Sequence, residues 1–251
     1  MKYFQVILLL FFSCALMAET RIDYYVNLGG IKIADANFTI KSDKNNWSLL
    51  TEVEAAGIVD VFVKFVSTTQ SKGIIKDNKL VPELYKFSYS TGRGSSREGS
   101  ITYQDSTPII LTANPNYEDD EKPTTQFLEK YGSASNDPYS ALLVHGSYTD
   151  PCKFITQGFD GLRSFKTIFV RPAKKEKIKI NEQEILTSKC VGYFDPIVGY
   201  KESDFLDEIS KPGSVRYWFK FFETLNLWVP VKVIIDTPLG GFVLKGTTMK
   251  N

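Results

Sequence analysis

Hydrophobic and polar residues alternate along most of the chain beyond its N-terminal segment. The alternation runs through residues 22–28, resumes at residues 31–40 and continues at residues 47–53. Gly29-Gly30 and the polar residues 43–46 separate these runs. A period of two is typical of β-strands with one buried face, and short Gly, Asn and Asp segments are typical of tight turns. These residues predict an antiparallel meander.

Further segments rich in β-branched and aromatic residues predict additional strands. They cover residues 73–76, 83–89, 100–104, 109–111, 165–171, 177–180, 185–191, 215–222, 228–236 and 242–247. Pro230 lies inside one of them and predicts an edge or bulged position, because proline has no backbone N–H to donate. We therefore expect a mainly β (α+β) fold, with a single large curved antiparallel sheet or half-barrel.

Residues 55–66 interrupt the alternation. Their larger hydrophobic residues follow i, i+3, i+4, i+7, i+8 spacing, at Ile58, Val61, Phe62, Phe65 and Val66. This spacing is typical of a helix with one apolar face, although the β-branched content also permits a strand. Such a helix either packs into the core or lines and covers a cavity on the concave face of the sheet.

A second short helix is predicted from Pro138 to about Gly146. The side chain of Asn136 or Asp137 can cap its first amides, and proline suits the first helical turn. His145 would then lie at the helix end. The expected architecture thus has one or two short helices on the concave side of the sheet.

Residues 112–131 form a long connector that contains Pro115, Pro123 and the acidic residues 118–121. A domain boundary is one interpretation of this composition. Because similar strands are predicted on both sides, we instead expect a surface excursion within one domain that spans residues 19–251. The acidic residues lack the alternating spacing and the glycine of a calcium-binding loop.

The N-terminal residues have the pattern of a cleavable secretion signal. Lys2 is followed by a short apolar segment and then by small residues. We expect residues 1–18 to be this signal, with cleavage after Ala18 or alternatively after Ala15. Lipoprotein anchoring through Cys14 is disfavoured, because two bulky phenylalanines lie just before it.

Charge excludes some classes of partner. Removal of residues 1–18 takes away Lys2 and no acidic residue, which leaves as many basic as acidic residues. A neutral chain argues against a nucleic-acid-binding protein. No later segment approaches the roughly 20 apolar residues of a membrane span, so an integral membrane protein is not expected.

Two cysteines, Cys152 and Cys190, remain after the expected cleavage. In an oxidising compartment an isolated pair is a candidate disulfide. The alternative is two separate buried thiols that pack as small apolar residues. A metal site is not expected, since neither cysteine belongs to a Cys-x-x-Cys motif.

Few residues point to catalysis. His145 is the single histidine, which argues against hydrolase triads and two-histidine metal centres. Glycoside chemistry would need two carboxylates that flank a sugar. The candidate acids for it are Glu52, Glu54, Asp195 and Asp204. No motif predicts a cofactor.

Several segments, taken in their order along the chain, resemble a known family. They are residues 24–36, Gly73, residues 80–83, 137–142 and 159–163, Cys190, Gly199-Tyr200, Tyr217-Trp218-Phe219, Val229-Pro230-Val231 and the final glycine-containing hairpin. They resemble the exported bacterial proteins of the uncharacterised DUF3108 family. The resemblance implies a periplasmic location and carries no catalytic residue. It also implies an architecture similar to lipoprotein carriers, in which helices plug the open side of a strongly curved sheet.

We therefore expect a non-enzymatic periplasmic protein that binds an apolar ligand, either a lipid or a lipoprotein acyl chain. The ligand-binding residues expected are Ile58, Val61, Phe62, Phe65, Val66, Leu142 and Trp218. Trp218 is included because residues 217–222 are bulky on both strand faces. The alternatives are an envelope scaffold protein with a filled core and a protein partner, and a polysaccharide-acting enzyme.

Overall fold

Fifteen strands form one antiparallel sheet in the computed structural model, which describes residues 17–118 and 122–250. The strands are β1 (Ala18–Leu28), β2 (Ile31–Ser42), β3 (Asn46–Ala55), β4 (Val66–Lys76), β5 (Lys79–Ser90), β6 (Ser96–Gln104), β7 (Thr107–Asn114), β8 (Val144–His145), β9 (Thr156–Phe159), β10 (Ser164–Phe169), β11 (Lys174–Ile180), β12 (Gln183–Val198), β13 (Val215–Phe222), β14 (Leu227–Thr237) and β15 (Gly240–Lys250). The helices are α1 (Ile58–Val63), α2 (Thr125–Gly132) and α3 (Asp204–Ile209). The predicted mainly β fold with one large antiparallel sheet is confirmed.

The sheet consists of two meanders that meet at the first and last strands. Its order is β7-β6-β5-β4-β3-β2-β1-β15-β14-β13-β12-β10-β9, while β11 pairs with β12 and β8 with β14 beside this path. Arg21 of β1 lies opposite Lys250 of β15, and the two strands stay paired as far as Leu28 and Phe242. The middle of the sheet therefore depends on contacts between the two ends of the described chain.

Alternation along β1 and β2 builds the main hydrophobic core. Ile22, Tyr24 and Val26 are buried, and the residues between them are more exposed. The Tyr24 ring packs 4.9 Å from the ring of Phe38 on β2, measured between centroids. Its hydroxyl donates a 2.9 Å hydrogen bond to the carbonyl oxygen of Pro230. Each such apolar side chain contributes about 1.5–3 kcal/mol by leaving water.

Residues 136–146 cross the interior of the curved sheet rather than its surface. Leu143 and Val144 are almost fully buried, and the Tyr139 ring lies edge-on to Phe38 at 6.2 Å. The predicted α-helix from Pro138 to Gly146 is wrong, since only a 3₁₀ turn forms at Ser140–Leu142. The chain then extends as β8, because Val144 pairs with Trp228 of β14.

The predicted connector at residues 112–131 contains the end of β7 and most of α2. The Thr124 side chain caps α2 by accepting a hydrogen bond from the Phe127 amide. Leu128 of α2 is buried and belongs to the same cluster as Phe159 of β9. The helix contacts both β7 and β9, the two edge strands of the path, and so lies between the edges of the open sheet.

A β-bulge accommodates Pro230, which confirms the bulged position among the two alternatives predicted. The β13–β14 register shifts between Trp218 and Phe219, so that Lys232 and Pro230 are their successive partners. Pro230 lies on an inner strand of the sheet and not on an edge.

The predicted disulfide between Cys152 and Cys190 is confirmed, with 5.3 Å between the two Cα atoms. Cys152 lies in the 3₁₀ turn Pro151–Lys153, where the Asp150 side chain accepts a hydrogen bond from its amide at 2.9 Å. Cys190 lies on β12 opposite Tyr217 of β13. The bond therefore joins the segment that precedes β9 to the sheet.

The predicted secretion signal falls almost entirely outside the described residues, as does Cys14. Ala18, the expected last residue of the signal, is the first residue of β1. Of the predicted acidic stretch, residues 119–121 also lie outside the described residues.

Candidate functional site

An apolar cavity of about 530 Å³ lies between the inner face of the sheet and α1. Its lining side chains are aliphatic or aromatic, and the hydroxyls of Tyr139 and Tyr217 are their only polar groups. Burial raises the pKa of both phenols, which keeps them protonated and uncharged. The volume is within the range of pockets that take one small molecule.

Small side chains on β2 and β3 create the free volume. Ala34 pairs with Val26 on one side and with Ala55 on the other, so these residues form one row across three strands. Ala36 lies two residues further along β2, on the same face of the strand, and also lines the cavity. Larger side chains at these positions would fill the space to the density of an ordinary core.

Residues 136–146, which cross the interior of the curved sheet, form the floor of the cavity through Tyr139 and Leu142. Asp137 holds this segment in its turn: its carboxylate accepts hydrogen bonds from the amides of Tyr139 and Ser140, at 3.0 and 3.1 Å. Asp137 is fully buried, and desolvation raises the pKa of its carboxyl group. The carboxyl group stabilises the turn that forms the floor, and Asp137 itself does not line the cavity.

Helix α1 covers the cavity with two side chains. Val59 and Val63, four residues apart and so on one helical face, line it from this side. Lys64 ends the helix in the left-handed conformation, with φ 46°. The reversal of the chain at Lys64 directs the next residue, Phe65, into the cavity wall.

Of the seven residues predicted to bind the ligand, the structure brings Phe65 and Leu142 to the cavity. Four others do not line it and are exposed at its outer side, namely Ile58, Val61, Phe62 and Val66. The physical reason is the shortness of α1. All six residues of α1 except Asp60 are apolar, so either side of the helix can pack on the sheet, and the side with Val59 and Val63 packs inward. Val66 lies beyond the helix, as the first residue of β4.

Trp218 lies on the face of β13 opposite the neighbouring cavity residue Tyr217. Its indole N–H donates a 3.0 Å hydrogen bond to Glu176 of β11. The ammonium groups of Lys189 and Lys232 lie 4.7 and 4.3 Å from its ring centroid. The hydrogen bond from Trp218 and the nearby Lys189 lower the pKa of Glu176. Trp218 is thus part of a charged cluster away from the cavity.

Sequence reasoning missed most of the lining, including the alanine row. Ala34, Ala36 and Ala55 occupy inward positions of the alternation. Small residues at consecutive inward positions are the pattern that could have indicated a cavity beside this part of the sheet.

The acids considered for sugar chemistry lie away from the cavity. Glu52 and Glu54 alternate with Val53 and Ala55, which line the cavity, so the two carboxylates project from the other face of β3. The other two candidate acids, Asp195 on β12 and Asp204 in α3, do not line the cavity either.

His145 lies in β8 and not at the end of a helix. Its Nδ1 accepts a 3.2 Å hydrogen bond from the amide of Ser147, and its Nε2 lies 3.2 Å from the side-chain nitrogen of Asn226. Burial lowers the pKa of the imidazole. The uncharged imidazole therefore holds the turn after β8, and the Gly146 amide joins this turn to the segment before β14 by a 2.8 Å hydrogen bond to the Asn226 carbonyl oxygen.

We expect the stability of the protein to fall as the pH drops below about 6.5, the ordinary pKa of histidine. The folded imidazole has the lower pKa, so the unfolded chain binds a proton first and is favoured as the pH falls from there. Urea denaturation at about pH 7.5 and about pH 5 measures the change. His145→Gln removes the single histidine, and an undiminished pH dependence in this variant would contradict the assignment.

Among the described residues, no cluster of histidine, cysteine or acidic side chains is arranged to hold a metal ion. In the same part of the chain, no helix has the length and hydrophobicity needed to cross a membrane.

Comparisons with known proteins give a family and one distant structural match. A search of the curated proteins gave no significant match. The crystal structure of a β-barrel-like protein of domain of unknown function DUF1849 from Brucella abortus aligns with a TM-score of 0.44 and 10% sequence identity, over 94% of this chain and 99% of that one. The family model described as protein of unknown function (DUF3108) matches residues 21–247, which is nearly the whole described chain. The chain therefore belongs to the DUF3108 family.

Proposed function

We propose that this protein is a non-enzymatic binding protein that carries one apolar ligand, a lipid or a lipoprotein acyl chain, in the periplasm. The observation that carries the proposal is the cavity of about 530 Å³, whose lining contains no charged side chain. Transfer of hydrocarbon from water into such a cavity is favourable. Its volume suits one drug-sized molecule, so we expect a single acyl chain rather than several.

The open cavity favours a ligand carrier over the alternative of a scaffold protein with a filled core. Side chains as small as Ala34, Ala36 and Ala55 leave the inner face of the sheet incompletely packed. The hydrocarbon lining also favours binding over catalysis, since the acids considered for sugar chemistry lie elsewhere. The disulfide between Cys152 and Cys190 supports an oxidising compartment such as the periplasm.

Native mass spectrometry of the protein, purified under mild conditions, tests the proposal. We expect a fraction of the molecules to carry one bound species, and a fluorescent fatty-acid probe to bind the emptied protein with one site per chain. Mass fragmentation of the bound species distinguishes a free lipid from the acylated peptide of a lipoprotein. Protein that is always empty and takes up no probe would refute the proposal.

A further inference from the structure

Helix α1 carries apolar side chains on its outer side as well as on its inner side. Ile58, Val61 and Phe62 are 62%, 70% and 63% exposed, and no residue of the helix is buried. Val59 and Val63 meanwhile face the cavity. The cover of the cavity therefore presents to solvent the kind of surface that folded proteins ordinarily bury or use for contact with another molecule.

Two hairpin tips extend this apolar region. Ile31 follows the β1–β2 turn and is 58% exposed, while Leu239 in the β14–β15 turn is 73% exposed. The two turns touch, since the Gly29 amide donates a 3.1 Å hydrogen bond to the Gly241 carbonyl oxygen. The residue before α1 lies against β2, because a Cβ atom at Gly57 would be 2.9 Å from the carbonyl oxygen of Lys32. We call the surface formed by Ile31, Ile58, Val61, Phe62 and Leu239 the mouth surface.

Positive charges border the mouth surface. Lys64 ends α1, and the turn that contains Arg93 is bonded to the same helix, because the Gly92 amide donates a 2.8 Å hydrogen bond to the Val63 carbonyl oxygen. Both side chains are exposed, and neither forms an ion pair within residues 17–118 and 122–250. Asp60 is the one acidic residue of α1.

We infer that the mouth surface docks on a lipid bilayer that contains anionic headgroups, so that the cavity exchanges its apolar ligand with the membrane. This inference rests on the proposed function. Apolar side chains bordered by Lys and Arg are the pattern of segments that lie in the membrane interface, where the hydrocarbon inserts and the cations meet the headgroups.

Co-sedimentation with vesicles tests the docking. The probes are vesicles of phosphatidylethanolamine and phosphatidylglycerol, compared with vesicles of phosphatidylcholine alone. We expect the ligand-free protein to bind the anionic vesicles more tightly. The double variant Val61→Asp/Phe62→Asp should lose about tenfold or more in affinity, because two charges replace the inserted hydrocarbon. Lys64→Glu/Arg93→Glu should lose affinity for the anionic vesicles and leave the weak binding to phosphatidylcholine unchanged.

Leu186→Asp is the matched control, since Leu186 is 60% exposed on β12 opposite Lys177 and lies outside the mouth surface. It should bind vesicles as the wild type does. Circular dichroism and thermal unfolding check that each variant is folded, and the exposure of all the substituted positions favours folding. Equal vesicle binding by Val61→Asp/Phe62→Asp and the wild type would overturn the inference.

The two proposals fail in distinguishable ways. Wild-type protein that takes up the fatty-acid probe in solution but binds neither kind of vesicle would overturn the docking and leave the proposed function standing. Protein that binds anionic vesicles through the mouth surface but takes up no probe would refute the proposed function instead. A vesicle-free dimer that Val61→Asp/Phe62→Asp dissociates, without vesicle binding by the wild type, would assign the surface to self-association and also overturn the docking.

Discussion

Ala34→Phe is expected to lower the affinity for a fatty-acid probe about tenfold or more, which corresponds to at least about 1.4 kcal/mol of binding free energy. Ala34 lies in the middle of the cavity wall, between Val26 and Ala55. A phenyl ring at this position occupies the space that the ligand would fill. Titration of the probe by fluorescence measures the affinity.

Folding of Ala34→Phe should be preserved, because the added ring enters free volume and does not displace packed side chains. Asp35→Phe is the control. It adds the same ring at the next residue, on the exposed outer face of β2, at the loss of a surface ion pair with Lys32. Such pairs contribute little to stability. If Ala34→Phe binds the probe as tightly as the control does, the probe occupies another site and the cavity is not the binding site.

Removal of the disulfide should lower the free energy of unfolding by about 3–4 kcal/mol. Cys152 and Cys190 are separated by 38 positions, so the bond restricts a long loop in the unfolded chain. Both cysteines are buried. The double variant is Cys152→Ala/Cys190→Ala, because serine at these positions would leave two buried hydroxyl groups. Urea unfolding of the double variant and of the wild type gives the difference.

Reduction supplies the independent comparison. Dithiothreitol should destabilise the wild-type protein by a similar amount and leave the double-alanine variant unaffected. An unchanged denaturation midpoint in both the reduced wild type and the variant would mean that the bond does not contribute to stability.

The strands of this fold could be predicted from the sequence because their pattern is local. Alternation at Ile22, Tyr24 and Val26 specifies both a strand and its buried face, since a single period of two determines them together. Pro230 likewise predicts an edge or bulged position because it lacks a backbone N–H, and the structure has the bulge. The pairing of β1 with β15 could not be read in the same way, because no local pattern specifies a partner so far away in the chain.

The candidate site was harder to predict because its decisive contacts are not local. Asp137 and Pro138 begin an α-helix and a 3₁₀ turn equally well, and the choice depends on β14, where Val144 finds its partner. The orientation of α1 depends in the same way on the neighbouring sheet. The apolar spacing predicts a helical face at Ile58, Val61 and Phe62, whereas the sheet packs against Val59 and Val63.

The pairing of β1 with β15 also has a consequence for the kinetics of folding. Hairpins such as β2–β3 or β4–β5 close over short loops and can form early. The pairing of β1 with β15 forms later, because it must close a loop that contains all the other strands. Until then β1 and β15 are unpaired edge strands that can pair with strands of other molecules, and such pairing promotes aggregation. We therefore expect slow refolding whose yield decreases with protein concentration, and the step that joins the two meanders should limit its rate.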